Sequence, residues 1–305
     1  MFILFINYIG QCLTYCKYVT YADDLQIFIE AEVDKMHEAI EKINFDLSEL
    51  SEWCKGHGMI INTKKCQAII LGTPKNVLKA ENQNRAQVRI GEHVISWEKK
   101  IVSLGIKIDQ TLSWVDQVTA VCSKVYKLLY QLKRITFQPT LNVRKKLIVT
   151  LLFPLFDYSS LAYCDLNSEQ MNRLQKAQNS CVRYIFKLRK DEPITQYFKN
   201  LGWLKIKERK EYRLLCLLRK ILITKTPVIL YEQIHFLSDI HSRNTRNADT
   251  ILCIPTHRTV IYNRSFLVQA IKLYNDLESE IKEKKSLESF KHAVKEKLLR
   301  NYERN

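Results

Sequence analysis

The sequence is short of turn-forming residues, with only 7 Gly and 6 Pro in 305 positions. These two residues are the strongest local punctuators of a chain, so their scarcity predicts long helices and few tight turns. Long apolar runs are missing too. No stretch reaches the roughly 18 apolar residues that a membrane span needs, so none is expected. The N-terminal run MFILFINYIGQCLTYC has no basic leading segment, and Asn7 and Gln11 interrupt its apolar residues, so it does not read as a secretory signal. Cysteine motifs are also lacking. Nine cysteines are scattered along the chain, and the one close pair, Cys12 and Cys16, has no matching second pair. That argues against a zinc site and for reduced, buried thiols. Such usage fits the nucleus or the cytoplasm, with no secretion and no membrane attachment. Acidic residues are in deficit: 32 Asp plus Glu face 48 Lys plus Arg, a formal charge of +16. That field attracts phosphate polymers and anionic membranes. At 46% hydrophobic residues, the chain can build a core, which excludes wholesale disorder.

What is present divides into two styles. Residues 1–10 read as a helix or a buried strand. Residues 17–22 and 25–30 read as a hairpin, because Leu25, Ile27 and Ile29 alternate with polar neighbours. A helix follows: Met36, Ile40, Ile43, Leu47, Leu50 and Cys54 form one apolar stripe. Asp34 is placed to cap it, and Gly56 and Gly58 to stop it. Residues 59–72 read as strand, polar turn, strand. Residues 88–95 read as a short hairpin turning at Gly91-Glu92, and 101–109 as a further single strand. Beyond this point helical faces dominate. Val118, Val121, Cys122, Val125, Leu128, Leu129 and Leu132 make the first. Similar patterns recur at about 141–163, 168–188, 207–223, 264–276 and 286–302, with an exposed basic loop at 241–250. The fold class is therefore α+β, with antiparallel hairpins and one long helix preceding a mostly helical region.

Between the first two strands lies KYVTYADDLQIFIE (17–30), with Asp23 and Asp24 adjacent at the turn. Asp is common in turns because its side chain bonds nearby backbone. Two carboxylates close together repel, and one pKa rises unless a cation sits between them. Mg²⁺ suits that position, since it is usually held by one or two carboxylates plus substrate phosphates. A solvated turn and a metal-binding end are both compatible with the residues alone.

The stretch YVTYADDLQIFIE resembles the catalytic hairpin of reverse transcriptases, and its surroundings resemble those of non-LTR (LINE- or jockey-like) retrotransposons. MFILFINYIG before it, LSEWCKGHGMIINTKKCQAIILG and VSLGIKIDQTLSW after it, and the later LQKAQNSCVRYIF, LGWLKIKERKEYRLLCLLRKIL and SFLVQAIKLYNDLESEIKEKKSLESFK resemble successive segments of that family, in the same order. The resemblance implies an RNA-directed DNA polymerase acting by two-Mg²⁺ nucleotidyl transfer on an RNA template and DNA primer, with no membrane partner. It implies a division into a partial palm at 1–109, a thumb-like helical region at 110–195 and a basic helical region at 196–305. Asp23 would ligate both Mg²⁺ ions, with Asp24 in support. Tyr21 and Ala22 would floor the primer end. Lys65, or alternatively Lys64, would neutralise the departing pyrophosphate. Leu104 and Gly105 would form the primer grip. Lys133, Arg134, Arg219 and Lys220 would contact duplex phosphates, with Tyr126 and Tyr130 against sugar or base.

The resemblance also implies a third metal aspartate, nucleotide-holding fingers and a Pro-Gln-Gly turn ahead of the hairpin. None of these is found in the sequence. Asp46 is read as lying on the polar side of the long helix, unable to substitute. The expectation is a truncated chain with little or no polymerase turnover, or alternatively a non-enzymatic nucleic-acid-binding remnant.

Overall fold

A computed structural model describes residues 6, 8–83, 86–136, 139–240 and 249–300. The chain forms two compact units, Met1–Trp114 and Val115–Asn305, and the fold is α+β.

Among the described residues the first unit contains three antiparallel hairpins, each a separate two-stranded sheet: β1 (Lys17–Tyr21) with β2 (Asp24–Phe28), β3 (Val88–Ile90) with β4 (His93–Ile95), and β5 (Lys100–Ser103) with β6 (Ile106–Asp109). A lone two-stranded hairpin is at best marginally stable in water and needs a surface to pack on. Helix α1 (Met36–Gly56) supplies it. Ile40, Leu47, Leu50 and Cys54 share one core with Val88, Ile90 and Ile95, and Leu25 and Ile27 of β2 pack against it. The helix ends where Gly58 takes a positive φ of 68°, a conformation that costs a side-chain-free residue little.

Four local readings change. Asp34 does not cap α1; its carboxylate pairs with Lys79 Nζ at 2.7 Å. Residues 59–72 are not two strands. Met59, Ile61, Cys66 and Ala68 do pack on the core, but the backbone is irregular apart from a 3-10 turn, Thr63–Lys65, and one bridge, Ala68 to Trp97. Residues 100–109 form a hairpin rather than one strand, turning at Leu104-Gly105. A helix the sequence reading passed over, α2 (Pro74–Glu81), starts on Thr73, whose side chain accepts from the Asn76 amide, with Pro74 in its first turn. The reading of residues 1–10 lies largely outside the described residues; Ile9–Cys12 is a single 3-10 turn.

Asp46 is the largest correction. It does not face solvent: it is 0% exposed. Its carboxylate accepts the backbone N–H groups of Thr14, Tyr15 and Cys16 at 2.9, 3.0 and 2.7 Å, so it clamps onto α1 the segment that leads directly into β1. Burial pushes this carboxyl up, but the amides of Thr14 and Cys16, the Cys16 thiol and the Tyr15 amide outweigh it and hold it below the ordinary carboxylate range.

The second unit is helical: α3 (Val115–Lys133), α4 (Leu141–Leu147), a π-helical stretch (Ile148–Leu152) running into α5 (Phe153–Asp157), α6 (Ser168–Phe186), α7 (Thr195–Leu201), α8 (Ile206–Thr224), α9 (Phe266–Asn275) and α10 (Leu287–Arg300). The stripe read on α3 is buried as expected at Val118, Val121, Val125 and Leu129, which pack with Leu174, Cys181, Val182 and Ile185 of α6. A second core joins Leu214, Leu218 and Ile221 of α8 to Ile271 of α9 and Phe290 and Val294 of α10. Positions 241–248 of the basic loop lie outside the described residues. All nine cysteines are free, and burial pushes the Cys181 thiol up to about 12. Among the described residues no helix is long and apolar enough to cross a membrane.

Candidate functional site

The acidic pair sits where the β1–β2 hairpin reverses. Tyr21 pairs with Asp24 across the ladder, leaving Ala22 and Asp23 as a two-residue turn. Both aspartates are exposed, and Tyr21 beside them is 67% exposed. Every residue of β1 is exposed, including apolar Tyr18 and Val19, and among the described residues β1 pairs with β2 alone. The ring of Tyr18 lies directly over Gly10 and leaves no room there for a Cβ.

The turn is strained. Ala22 has a φ of 54°, in the left-handed region that costs a residue with a Cβ about 1 kcal/mol or more. The β5–β6 turn repeats the device, with Leu104 at 46° and Gly105 at 76°. The β3–β4 turn does not: its positive φ of 59° falls on Gly91. Two-residue hairpin turns need positive φ at the first central position, and among the described residues only the hairpins carrying the candidate residues meet that need with a side chain. Strain kept in this way is a mark of sites where a particular backbone path matters.

These two hairpins meet. Gln26, two residues beyond Asp24, donates from Nε2 to Ser103 Oγ at 2.5 Å, and Ser103 immediately precedes Leu104-Gly105. The acidic turn and the glycine turn therefore belong to one neighbourhood. Neither Gln26 nor Ser103 was singled out from the sequence. Their only signal is position, each on a strand next to a turn. Lys64 and Lys65 are exposed in the 3-10 turn Thr63–Lys65, which follows α1. Among the described residues their side chains make no hydrogen bond or ion pair. Asp109, at the end of β6, accepts from the amides and hydroxyls of Thr111 and Ser113. Burial pushes its carboxyl up, but the Ser113 and Thr111 hydrogen bonds prevail and lower it, so it secures the exit from the glycine hairpin.

Two adjacent carboxylates on an exposed turn are hard oxygen donors, the kind that holds Mg²⁺ together with substrate phosphates and water. Among the described residues no group of three His, Cys, Asp or Glu could enclose a metal ion. The donor set thus fits one side of a magnesium site and needs further oxygens from elsewhere.

In the second unit the candidate phosphate contacts separate. On α3, Tyr126 and Tyr130 are exposed, and Lys133 and Arg134 are exposed beyond them. The spacing of four from Tyr126 to Tyr130 to Arg134 puts them on one face, and the Arg134 guanidinium lies over the Tyr130 ring at 5.6 Å. Lys220 on α8 is exposed. Arg219 is engaged within the unit: it donates to the Lys284 carbonyl at 2.5 Å and lies over the Phe290 ring at 5.4 Å. That leaves it poorly disposed to reach a ligand.

No curated protein and no solved structure matches the chain. Residues 1–108, which take in the acidic hairpin, α1, the lysine turn and all but the last residue of the glycine hairpin, match the family model described as reverse transcriptase (RNA-dependent DNA polymerase), and this supports the reverse transcriptase family for the first unit.

Proposed function

We propose that the chain serves an RNA-directed DNA polymerase of the non-LTR retrotransposon type, its first unit carrying part of the palm and its second unit contacting an RNA–DNA duplex. The observation that carries this reading is the exposed Asp23–Asp24 turn, strained at Ala22 and joined through Gln26 and Ser103 to the glycine turn. Reverse transcriptases act on a nucleic-acid template and primer. In this reading Asp23 and Asp24 hold magnesium, which when bound stabilises the charge that develops in phosphoryl transfer. Tyr21 supports the primer end beside them. Leu104 and Gly105 let the primer backbone approach closely. Lys65, or Lys64 next to it, neutralises the departing pyrophosphate.

The metal step is tested with Mn²⁺ as a paramagnetic stand-in for Mg²⁺. One weak site is expected in the chain, lost in Asp23→Ala; equal Mn²⁺ binding by both proteins would remove the hairpin from the reading. In primer extension with Mg²⁺, a polypeptide of residues 1–305 is expected to make no more product than Asp23→Ala. Extension abolished by that substitution would show that the two carboxylates suffice.

A second reading, duplex binding without catalysis, is favoured by the aromatic and basic face of α3. Either way the +16 charge should dominate affinity. Binding to an RNA–DNA duplex is expected to fall about a thousandfold between 50 and 200 mM salt. The double variant Lys133→Glu, Arg134→Glu should lower the slope of log affinity against log salt by about 2. A salt-independent affinity, or none at low salt, would defeat both readings of the second unit.

A further inference from the structure

The second unit has an open cleft of about 340 Å³ where three separated segments converge: the stretch leading into α6, the first turns of α8 and the start of α9. Lys210 and Arg264 both line it. Among the described residues neither side chain makes a hydrogen bond or ion pair with another. Three neutral donors stand with them: the Asn167 and Gln269 carboxamides and the Ser168 hydroxyl. One hydrogen of the Gln269 amide is used on the Asn263 carbonyl, which leaves the other available. One carboxylate, Asp165, also lines the cleft, so its lining carries two positive charges against one negative.

We propose that this cleft is an oxyanion site that takes a phosphate group, held by Lys210 and Arg264. The site is independent of the polymerase reading and lies in the unit that the family match does not reach. An ammonium and a guanidinium that hold no hydrogen bond or ion pair among the described residues, plus several neutral donors, suit a tetrahedral ion with many acceptor oxygens. Burial lowers the Lys210 pKa, and nearby Cys164, Asp165 and Glu211 only partly restore it. An anion beside Lys210 would relieve that cost. Asp165 works against the anion, which gives the proposal a sign that a purely structural role would not produce.

The test is calorimetric titration of the full chain with inorganic phosphate, and separately with a short DNA strand carrying either a 5′-phosphate or a 5′-hydroxyl. Lys210→Met and Arg264→Met should each weaken phosphate binding roughly tenfold or more, while Asp165→Asn should strengthen it several-fold, all three with unchanged thermal unfolding. If the 5′-phosphorylated strand binds more tightly than the 5′-hydroxyl strand in a Lys210-dependent way, the phosphate is that of a nucleic-acid end; if only inorganic phosphate shows that dependence, it is a free ion. Affinities unaltered by all three substitutions, or Asp165→Asn weakening the binding, would overturn the proposal.

Discussion

Replacing Asp46 by alanine is expected to cost the first unit about 4 kcal/mol, a large part of the stability of an ordinary domain. The substitution leaves the amides of Thr14, Tyr15 and Cys16 without their acceptor. The Cys16 amide is buried and, stranded in this way, loses roughly 1–3 kcal/mol, at the upper end because its acceptor is charged, while the part-buried amides of Thr14 and Tyr15 add smaller losses. The consequence reaches the site, because the clamped segment continues without a break into β1 and the Asp23–Asp24 turn. Hydrogen exchange provides the check. Amides of 14–21 and of α1 should exchange far faster in Asp46→Ala, whereas those of α6 and α8 should not change. Unaltered exchange at 14–21 would mean that the clamp is not what holds the hairpin.

The same carboxylate makes the first unit sensitive to acid. Its folded pKa lies below its unfolded value near about 3.9. Its stabilisation is therefore fully present above about pH 4 and is lost as pH falls through the lower folded value. Asp46→Asn removes the titration and keeps the side-chain volume, but its Nδ2 cannot accept the amides that one carboxylate oxygen takes, so this unit should be less stable at neutral pH and its acid unfolding should become shallower below about pH 4.

The second large effect belongs to the helical unit. Asp157, at the end of α5, accepts from Arg209 Nε at 2.6 Å and Nη2 at 2.5 Å and pairs with Arg213 Nη1 at 3.1 Å. The Asp157 and Arg209 side chains are each 22% exposed, and the Arg209 guanidinium also lies over the Phe153 ring at 4.5 Å. Asp157→Ala leaves two neighbouring cations with no counter-charge in a mostly desolvated place. Breaking such a pair from one side costs about 3–5 kcal/mol. Urea unfolding followed in the second unit should show that loss. Replacing Asp157, Arg209 and Arg213 together by apolar residues of similar volume should recover most of it. If the triple variant is no better than Asp157→Ala, the cost comes from packing rather than from uncompensated charge.

Asp46 marks how far a one-dimensional reading carries. It lies three residues after Ile43 and four before Leu50, on the apolar stripe itself, so the spacing that identified α1 also held the signal that this aspartate is buried. What the spacing could not hold was the partner. The three amides come from a segment 30 to 32 residues earlier, and only folding brings them together. Gln26 and Ser103, 77 residues apart, are the same case on the functional side. The misread stretch 59–72 failed for a related reason. Its apolar residues do enter the core, but a strand exists only where another strand pairs with it, and here the pairing amounts to one bridge. The Leu104-Gly105 turn was missed because Leu is a poor turn residue, and its positive φ there is strained backbone. The start of α2 was legible in Thr73-Pro74, a capping residue followed by a first-turn proline.

The sequence alone determined the α+β class, the long helices of both units, the 17–28 and 88–95 hairpins and the adjacent carboxylates, because each is written in local periodicity, in turn chemistry or in neighbouring residues. Tertiary structure alone decided that the acidic and glycine turns share a neighbourhood, that Asp46 clamps the chain before β1, that Arg219 is drawn into packing, and that Lys210 and Arg264 face one cleft. Those outcomes depend on contacts between distant segments, whose free energy appears only when both sides are in place.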